Sequence, residues 1–331
     1  MVLNMSSLLF SMSLVSGTLI TISSTTWIGA WMGLEMNLLS FIPLMNKNKN
    51  PLETESAMKY FLVQAIASII ILLSILLMMM KSFDMNNYLM YPIASALLMK
   101  MGAAPFHYWF PSVMTGMTWM NCFILMTWQK IAPFILLSYK ICNNYIFNGV
   151  ILMNVLVGAI GGLNQSCIRK LMAYSSISHI GWMISAMIMN NSYWLMYFIF
   201  YSIMNVAVVM IFYKQSLFQL SQIFSHKNNS PTTKFSMFIS MLSLGGLPPF
   251  LGFLPKWMII QNMINSSSFL TITVMVMTTL VTLYFYLRIM FSSFTFLNQE
   301  LYWKNMDFMM STTTLPIMIS IMGIPMIVMM Y

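Results

Sequence analysis

The chain has 331 residues, of which 59% are hydrophobic and 6% are charged, and its mean hydropathy is +0.80. Soluble domains carry about 25% charged residues, so this chain has too few polar side chains to cover a water-soluble globule of its size. The composition also excludes a disordered chain, a coiled coil and, with 3 cysteines, a disulfide-stapled scaffold. These exclusions leave a polytopic helical membrane protein.

Eleven runs of about 20 apolar residues are long enough to cross a hydrocarbon core of about 30 Å as helices. In chain order, they are residues 3–22, 26–45, 57–80, 88–110, 116–139, 145–163, 168–189, 192–214, 235–262, 267–290 and 312–330. The first run lacks the basic flank of a signal peptide, so we expect it to remain in the mature protein. The connections are short and polar, which predicts a single membrane domain over residues 1–331.

The basic residues in the loops and at the ends of these spans are distributed unevenly between the two faces of the membrane. Ten share the face of the N-terminus and two, Lys81 and Lys140, fall on the opposite face. By the positive-inside rule, the N-terminus is predicted on the cytoplasmic or matrix-like side and the C-terminus on the other side. The net charge of +9 therefore reflects membrane topology, and no basic stripe interleaved with aromatic residues predicts nucleic-acid binding.

Two predicted spans contain proline where an uninterrupted helix is not expected. Residues 102–111 and 246–255 both read G-x-x-P-F-x-x-x-x-P, at an offset of 144 residues. A proline inside a helix removes a backbone hydrogen bond and clashes with the preceding turn. We therefore predict helix breaks at Pro105 and at Pro248 and Pro249.

The two proline motifs lie five spans apart, and an odd number of crossings inverts the second unit relative to the first. The sequence therefore predicts a first five-helix repeat over residues 1–140, a second, inverted repeat over 145–290, and a final transmembrane helix at 312–330. Transporters built in this way bind their substrates at broken helices near the midplane of the membrane.

Four ionisable residues are predicted inside the membrane: Glu35, Lys100, Lys130 and Lys256. Each costs roughly 2.5–3.5 kcal/mol at a helix centre, so their presence requires an explanation. Two structural explanations are open: a lysine near a helix end extends its ammonium to the headgroups, or a Glu–Lys pair maintains helix register. The functional hypothesis is a hydrated proton or ion path, because burial favours a neutral lysine and a nearby carboxylate favours its charged form.

Two histidines are candidate members of such a path. His107 lies beside the first predicted break, where water is expected, and is therefore the stronger relay candidate. His179 either relays protons or is a hydrogen-bonded structural residue, and the sequence leaves both possibilities open. It shares one helical face with Ser175, Ser178, Trp182 and Ser185.

Motifs for nucleotide, flavin and zinc chemistry are absent from the sequence: it contains no G-x-G-x-x-G, no Walker lysine and no H-E-x-x-H. Cys122, Cys142 and Cys167 include no C-x-x-C pair that would hold zinc or an iron–sulfur cluster. We predict no cofactor site, no metal site and no bond-making reaction on this chain alone.

Several segments together resemble the NADH dehydrogenase subunit 2 family, which comprises antiporter-like membrane subunits of mitochondrial respiratory complex I. They are residues 31–43 (WMGLEMNLLSFIP), 100–110 (KMGAAPFHYWF), 127–133 (TWQKIAP), 169–182 (RKLMAYSSISHIGW) and 245–257 (GLPPF within it). The resemblance extends over roughly residues 17–290. The eleven predicted spans, the 41 methionines and the preference for lysine over arginine resemble the arthropod members of the family.

The resemblance implies a role in redox-driven proton translocation across the mitochondrial inner membrane. It implies that Glu35 pairs with Lys100, that Lys130 is the central relay lysine and that Lys256 serves the second broken helix. The flavin, iron–sulfur, NADH and quinone sites are expected on other subunits. The expected partners are other membrane subunits of complex I, including neighbouring antiporter-like subunits, and inner-membrane lipids such as cardiolipin.

Two alternative functions remain open at this stage. The first alternative is a subunit of a cation/proton antiporter complex, a class that shares the repeat and the lysines. The second is a passive scaffold whose charges maintain helix register and bind neighbouring subunits. With mitochondrial topology, the N-terminus is expected in the matrix and the C-terminus in the intermembrane space.

Overall fold

The computed structural model describes residues 5–46, 50–80, 86–139, 145–225 and 231–294, together with 317–318 and 320. These residues form helices joined by turns and contain no β-strand, and they include an isolated antiparallel bridge between Cys167 and Gln219. The prediction of an all-α membrane protein is therefore confirmed.

Packing divides the chain into two compact units, Met1–Asn144 and Tyr145–Tyr331. The described helices of the first unit are α1 (Met5–Ser23), α2 (Trp27–Met45), α3 (Pro51–Met79), α4 (Asn86–Met101), α5 (Trp109–Gly116), α6 (Trp119–Met126) and α7 (Trp128–Ser138). Those of the second unit are α8 (Tyr145–Leu163), α9 (Ile168–Met189), α10 (Asn191–Gln215), α11 (Leu220–Ser225), α12 (Pro231–Gly245), α13 (Phe253–Asn265) and α14 (Phe269–Phe294). The inversion of one repeat relative to the other stays a prediction.

Among the described residues, 8 stretches are long and apolar enough to cross a membrane: α1, α2, α3, α6 with α7, α8, α9, α10 and most of α14. They match eight of the predicted spans in order. The predicted fourth and ninth spans correspond to α4 with α5 and to α12 with α13, whose halves are individually short. The predicted eleventh span lies outside the described residues except at 317, 318 and 320, so the count of eleven is not confirmed.

Both interrupted helices stop at a glycine in the left-handed region. Gly102 follows the end of α4 with a φ of +72°, and Gly246 follows the end of α12 with a φ of +80°. Residues with a Cβ rarely adopt this conformation, so glycine ends the first half-helix and the chain turns. The non-helical links that follow contain Pro105, Pro248 and Pro249.

The last proline of each motif lies in the first turn of the second half-helix, not in the non-helical link. Pro111 is the third residue of α5, and Pro255 is the third residue of α13. The first N–H groups of a helix have no partner within that helix, so proline is tolerated in the first turn and favours its start. The motif therefore contains both the stop of one half-helix and the start of the next.

Helices α1 and α2 pack closely through small residues. A Cβ added at Gly33 would lie 2.8 Å from the Gly17 carbonyl oxygen, and one added at Gly17 would lie 3.0 Å from the Asn37 backbone nitrogen. Small residues let two membrane helices approach at this distance. The contact positions α2, which carries Glu35 and Asn37.

Helix α3 begins at Pro51, six residues before the predicted span. The extension places Glu53 in the first turn, where 4% of its surface is exposed. A carboxylate in this turn interacts favourably with the positive end of the helix dipole. Glu35 is the acid predicted to lie inside the membrane; in the structure Glu53 is buried as well, whereas Glu35 is partly exposed at the surface of the chain.

Candidate functional site

Lys100 lies in the last turn of α4, directly before the first break. The residue is 7% exposed, and its backbone carbonyl accepts a hydrogen bond from Gln64 Nε2 at 3.3 Å. It lines a cavity of about 10 Å³, which is room for about one water molecule. The lining residues are Leu34, Asn37, Leu38, Tyr60, Gln64, Lys100, Gln129 and Pro133. A buried lysine therefore borders a polar space in which a single water fits.

Glu35, on α2, influences this cavity from a distance. Its carboxylate lies within Coulombic range of the Lys100 ammonium and of the Tyr60 hydroxyl. Both Glu35 and Lys100 belong to the described part of the chain, and no direct ion pair joins them. The pair implied by the family resemblance therefore interacts through space in this structure.

Neutral side chains connect α2, α3 and α7 beside the cavity. Gln129 Nε2 donates to Asn37 Oδ1 at 3.0 Å, and the Tyr60 hydroxyl donates to Gln129 Oε1 at 3.5 Å. All three residues are buried. Sequence reasoning missed them because it sorted only charged residues by depth, although Gln129 precedes Lys130 and Asn37 follows Glu35 by two positions.

Lys130 is the most deeply buried of the three lysines, with 1% of its surface exposed. It is the third residue of α7, which starts where the predicted span 116–139 is interrupted at Thr127. Its Nζ lies 5.2 Å from the centre of the Phe110 ring, at the first turn of α5. A cation over an aromatic face is stabilised electrostatically, so the ring supports the charged form of Lys130.

His107 lies inside the first break and is buried. Its Nδ1 is 3.2 Å from the Pro105 carbonyl oxygen, and its ring centre lies 4.2 Å from that of Tyr108. These contacts stay within the link between α4 and α5. The imidazole therefore stabilises the conformation of the break whether or not it also carries protons.

Lys256, in the first turn of α13, is 7% exposed and faces the end of α12. Its Nζ donates to the Gly245 carbonyl at 2.9 Å and lies 6.0 Å from the centre of the Trp182 ring on α9. A cation at a helix C-terminus satisfies a carbonyl without a helical partner and complements the helix dipole. The ammonium is thus held inside the second unit, at the break, by backbone oxygen and an aromatic face.

His179 is buried on α9, three residues before Trp182, and its Nδ1 lies 2.8 Å from the Tyr197 hydroxyl of α10. The serine hydroxyls of the predicted polar stripe on the same face bond the backbone of their own helix. Ser175, Ser178 and Ser185 each donate to the backbone carbonyl three residues earlier in α9. Serine hydroxyls in helices commonly bond their own backbone in this way.

The described residues contain no group of three or more His, Cys, Asp or Glu residues that would hold a metal ion. Cys122 is buried and Cys167 is partly exposed, and neither forms a disulfide with another described cysteine. Cys142 lies outside the described residues. The side chains of the candidate site offer proton-binding groups and hydrogen bonds.

Comparison with known proteins decides the family. Residues 24–282 match the family described as NADH:quinone oxidoreductase/Mrp antiporter, TM. NADH-ubiquinone oxidoreductase chain 2 of Anopheles gambiae is 50% identical over 334 residues, which cover 98% of this chain and 97% of that protein. The chain belongs to the NADH-ubiquinone oxidoreductase chain 2 family. Its counterpart in Locusta migratoria is 47% identical over 327 residues, with 97% of this chain and 96% of that protein covered.

A solved structure shows the same fold at lower identity. In the structure of respiratory complex I from Thermus thermophilus with bound aureothin, one chain matches with a TM-score of 0.81 at 22% identity, over 88% of this chain and 71% of that chain. The family resemblance drawn from the sequence motifs is confirmed, and the chain 2 family member described here is a multi-pass membrane protein.

Proposed function

We propose that this chain relays protons as an antiporter-like membrane subunit of an NADH:ubiquinone oxidoreductase in the mitochondrial inner membrane. The observation that carries the proposal is Lys100, a buried lysine at a helix break that borders a cavity with room for about one water. A lysine in such a place exchanges its proton with that water when its charged form is stabilised or destabilised.

Glu35 supplies a means of changing the charge of Lys100. An ionised Glu35 within Coulombic range favours the ammonium form of Lys100, and neutralising or moving the carboxylate favours release of the proton. Because no direct ion pair has to break, a modest displacement of α2 is enough to alter this influence. The hydrogen-bonded Asn37, Gln129 and Tyr60 keep the polar wall of the cavity in place.

In the second unit, Lys256 links its own protonation to the geometry of the break. The charged lysine donates to the carbonyl at the end of α12, and the neutral amine is a weaker donor that does not complement the helix dipole. Loss of the proton therefore weakens the contact between α12 and α13. His107 and His179 are proposed as further relay groups.

The chain is proposed to carry no redox chemistry of its own. Flavin, iron–sulfur clusters and quinone belong, in this proposal, to other subunits of the complex. Neighbouring antiporter-like subunits and inner-membrane lipids such as cardiolipin are the proposed partners. The proposed orientation has the N-terminus in the matrix and the C-terminus in the intermembrane space, as the distribution of basic residues favours.

Charge neutralisation tests the relay. Lys100→Met and Glu35→Gln are introduced in a recoded nuclear copy whose product is imported into insect-cell mitochondria that lack their own chain. We expect both variants to assemble and to oxidise NADH under uncoupled conditions, with fewer protons moved per NADH. Lys59→Met, which removes an exposed lysine paired with Glu55, serves as the control and keeps the parental yield.

An unchanged proton yield in both Lys100→Met and Glu35→Gln contradicts the relay and favours a passive scaffold. The family description also includes Mrp antiporters, so cation/proton antiport is a second candidate function. It is tested in the same vesicles without NADH: sodium-dependent proton flux that Lys100→Met abolishes favours antiport.

A further inference from the structure

The second unit contains a buried cluster of one imidazole and three phenols. His179 lies on α9, Tyr197 and Tyr201 on α10, and Tyr286 on α14, and each tyrosine is 1% exposed. The tyrosines lie within Coulombic range of one another. At the repeat offset of 144 residues, Lys130 corresponds to Val274, so this unit lacks the equivalent lysine. The cluster belongs to the same unit as Lys256 and supplies side chains that can exchange protons.

The hydrogen bond between Tyr197 and His179 has a preferred direction. The Tyr197 hydroxyl oxygen lies 2.8 Å from His179 Nδ1, and within the described part of the chain it has no second hydrogen-bond partner. If Nδ1 were the donor, the buried O–H of Tyr197 would have no acceptor, which is unfavourable. The hydroxyl therefore donates, and neutral His179 carries its proton on Nε2.

The imidazole is also oriented by its neighbours. The centre of the Tyr201 ring lies 5.0 Å from that of His179, at an angle of 45°. Trp182, one turn further along α9, presents its ring to the Lys256 ammonium at 6.0 Å. His179 thus has a phenol on its Nδ1 side, a packed ring beside it, and the Lys256 region one helical turn away.

Building on the proposed proton relay, we infer that Tyr197 is a further proton-carrying residue, which delivers protons to His179 Nδ1. The phenol O–H passes its proton to Nδ1 while the phenol oxygen takes up a proton from a water molecule. Tyr197 is neutral before and after, and His179 becomes an imidazolium. Release of the Nε2 proton leaves a neutral ring with its proton on Nδ1, and exchange of that proton back to Nε2 restores the starting tautomer. One proton has then entered and one has left.

The test compares Tyr197→Phe, His179→Gln and the double variant in assembled complex, with proton yield measured per NADH oxidised. We expect Tyr197→Phe to lower the yield to the level of His179→Gln, and the double variant to lower it no further, because both changes block one step. Tyr213→Phe removes a phenol oxygen from an exposed position on the same helix and is expected to keep the parental yield.

A parental yield in Tyr197→Phe alongside a lowered yield in His179→Gln overturns the role of Tyr197 and leaves the relay intact. Parental yields in both His179→Gln and Lys256→Met contradict the relay in the second unit itself. Because Tyr197→Phe removes a single buried oxygen, the yield is normalised to assembled complex. Tyr201→Phe alters the same cluster without removing the hydrogen bond to His179 Nδ1. Equal losses of proton yield in Tyr201→Phe and Tyr197→Phe would show a general disturbance of the cluster and overturn the specific role of Tyr197.

Discussion

Replacing Gly246 by alanine is expected to destabilise the second unit and to displace Lys256. At a φ of +80°, an L side chain costs about 1–2 kcal/mol. The new Cβ would also lie 2.8 Å from the Lys256 ammonium nitrogen and 3.0 Å from its Cδ, so the lysine has to move. Its hydrogen bond to the Gly245 carbonyl, at 2.9 Å, is of the charged kind that contributes about 1.5–3 kcal/mol. Together these effects predict a loss of about 2.5–5 kcal/mol in the free energy of unfolding.

Gly149→Ala is the matched control for this change. Gly149 lies inside α8, and a Cβ added there meets nothing within 4 Å. Alanine is favoured over glycine in a helix by about 0.8–1 kcal/mol. The control is therefore expected to be neutral or slightly stabilising, although it makes the same chemical substitution.

Thermal inactivation of the assembled complex measures the stability of both glycine variants, and NADH-driven proton uptake measures their coupling. We expect Gly246→Ala to inactivate at a lower temperature and to move fewer protons per NADH, while Gly149→Ala keeps parental values. If the two variants show equal thermal stability and equal proton yield, the reasoning from the left-handed turn and the Lys256 contact is refuted.

Further substitutions test the packing around the site. Gln129→Leu leaves Asn37 and Tyr60 without their hydrogen bonds and is expected to lower the free energy of unfolding by about 2–4 kcal/mol, so that the complex inactivates at a lower temperature. Parental stability would contradict a stabilising role for these two hydrogen bonds. Arg288 donates to the carbonyls of Leu163 at 2.6 Å and Gln165 at 3.0 Å. Arg288→Met is therefore expected to lower the free energy of unfolding by about 2–4 kcal/mol, and Arg288→Lys by about half of that. Equal stability of the methionine and lysine variants would show that the bidentate geometry is unimportant. Lys59→Met should change stability by less than about 1 kcal/mol, because its ion pair is exposed, and a larger loss of thermal stability would contradict this.

The positions of the main helices were predictable because hydropathy and length report directly on the free energy of insertion into a bilayer. The prolines of residues 102–111 and 246–255 likewise predicted interrupted helices, since proline cannot donate within a helix. The interruption at Thr127 was not predictable in this way, because no proline or glycine marks it. Helix α3 also starts before the apolar run, because Pro51 favours the first position of a helix. As a result, Glu53 lies in its first turn, where it is buried.

The candidate site shows a similar division. The cost of burying charge identified Lys100, Lys130 and Lys256 without any structure, because an ionisable group inside a membrane is rare unless it has a function. Composition and residue order by themselves determined a polytopic helical protein, eight of its membrane spans and its family. Only the tertiary structure decided which groups meet: the amide of Gln129 with Tyr60 and Asn37, the ammonium of Lys256 with the end of α12, and the phenol of Tyr197 with His179. Hydrogen bonds act over about 3 Å and depend on how helices distant in sequence are packed, whereas the preference of a segment for the bilayer depends on that segment alone.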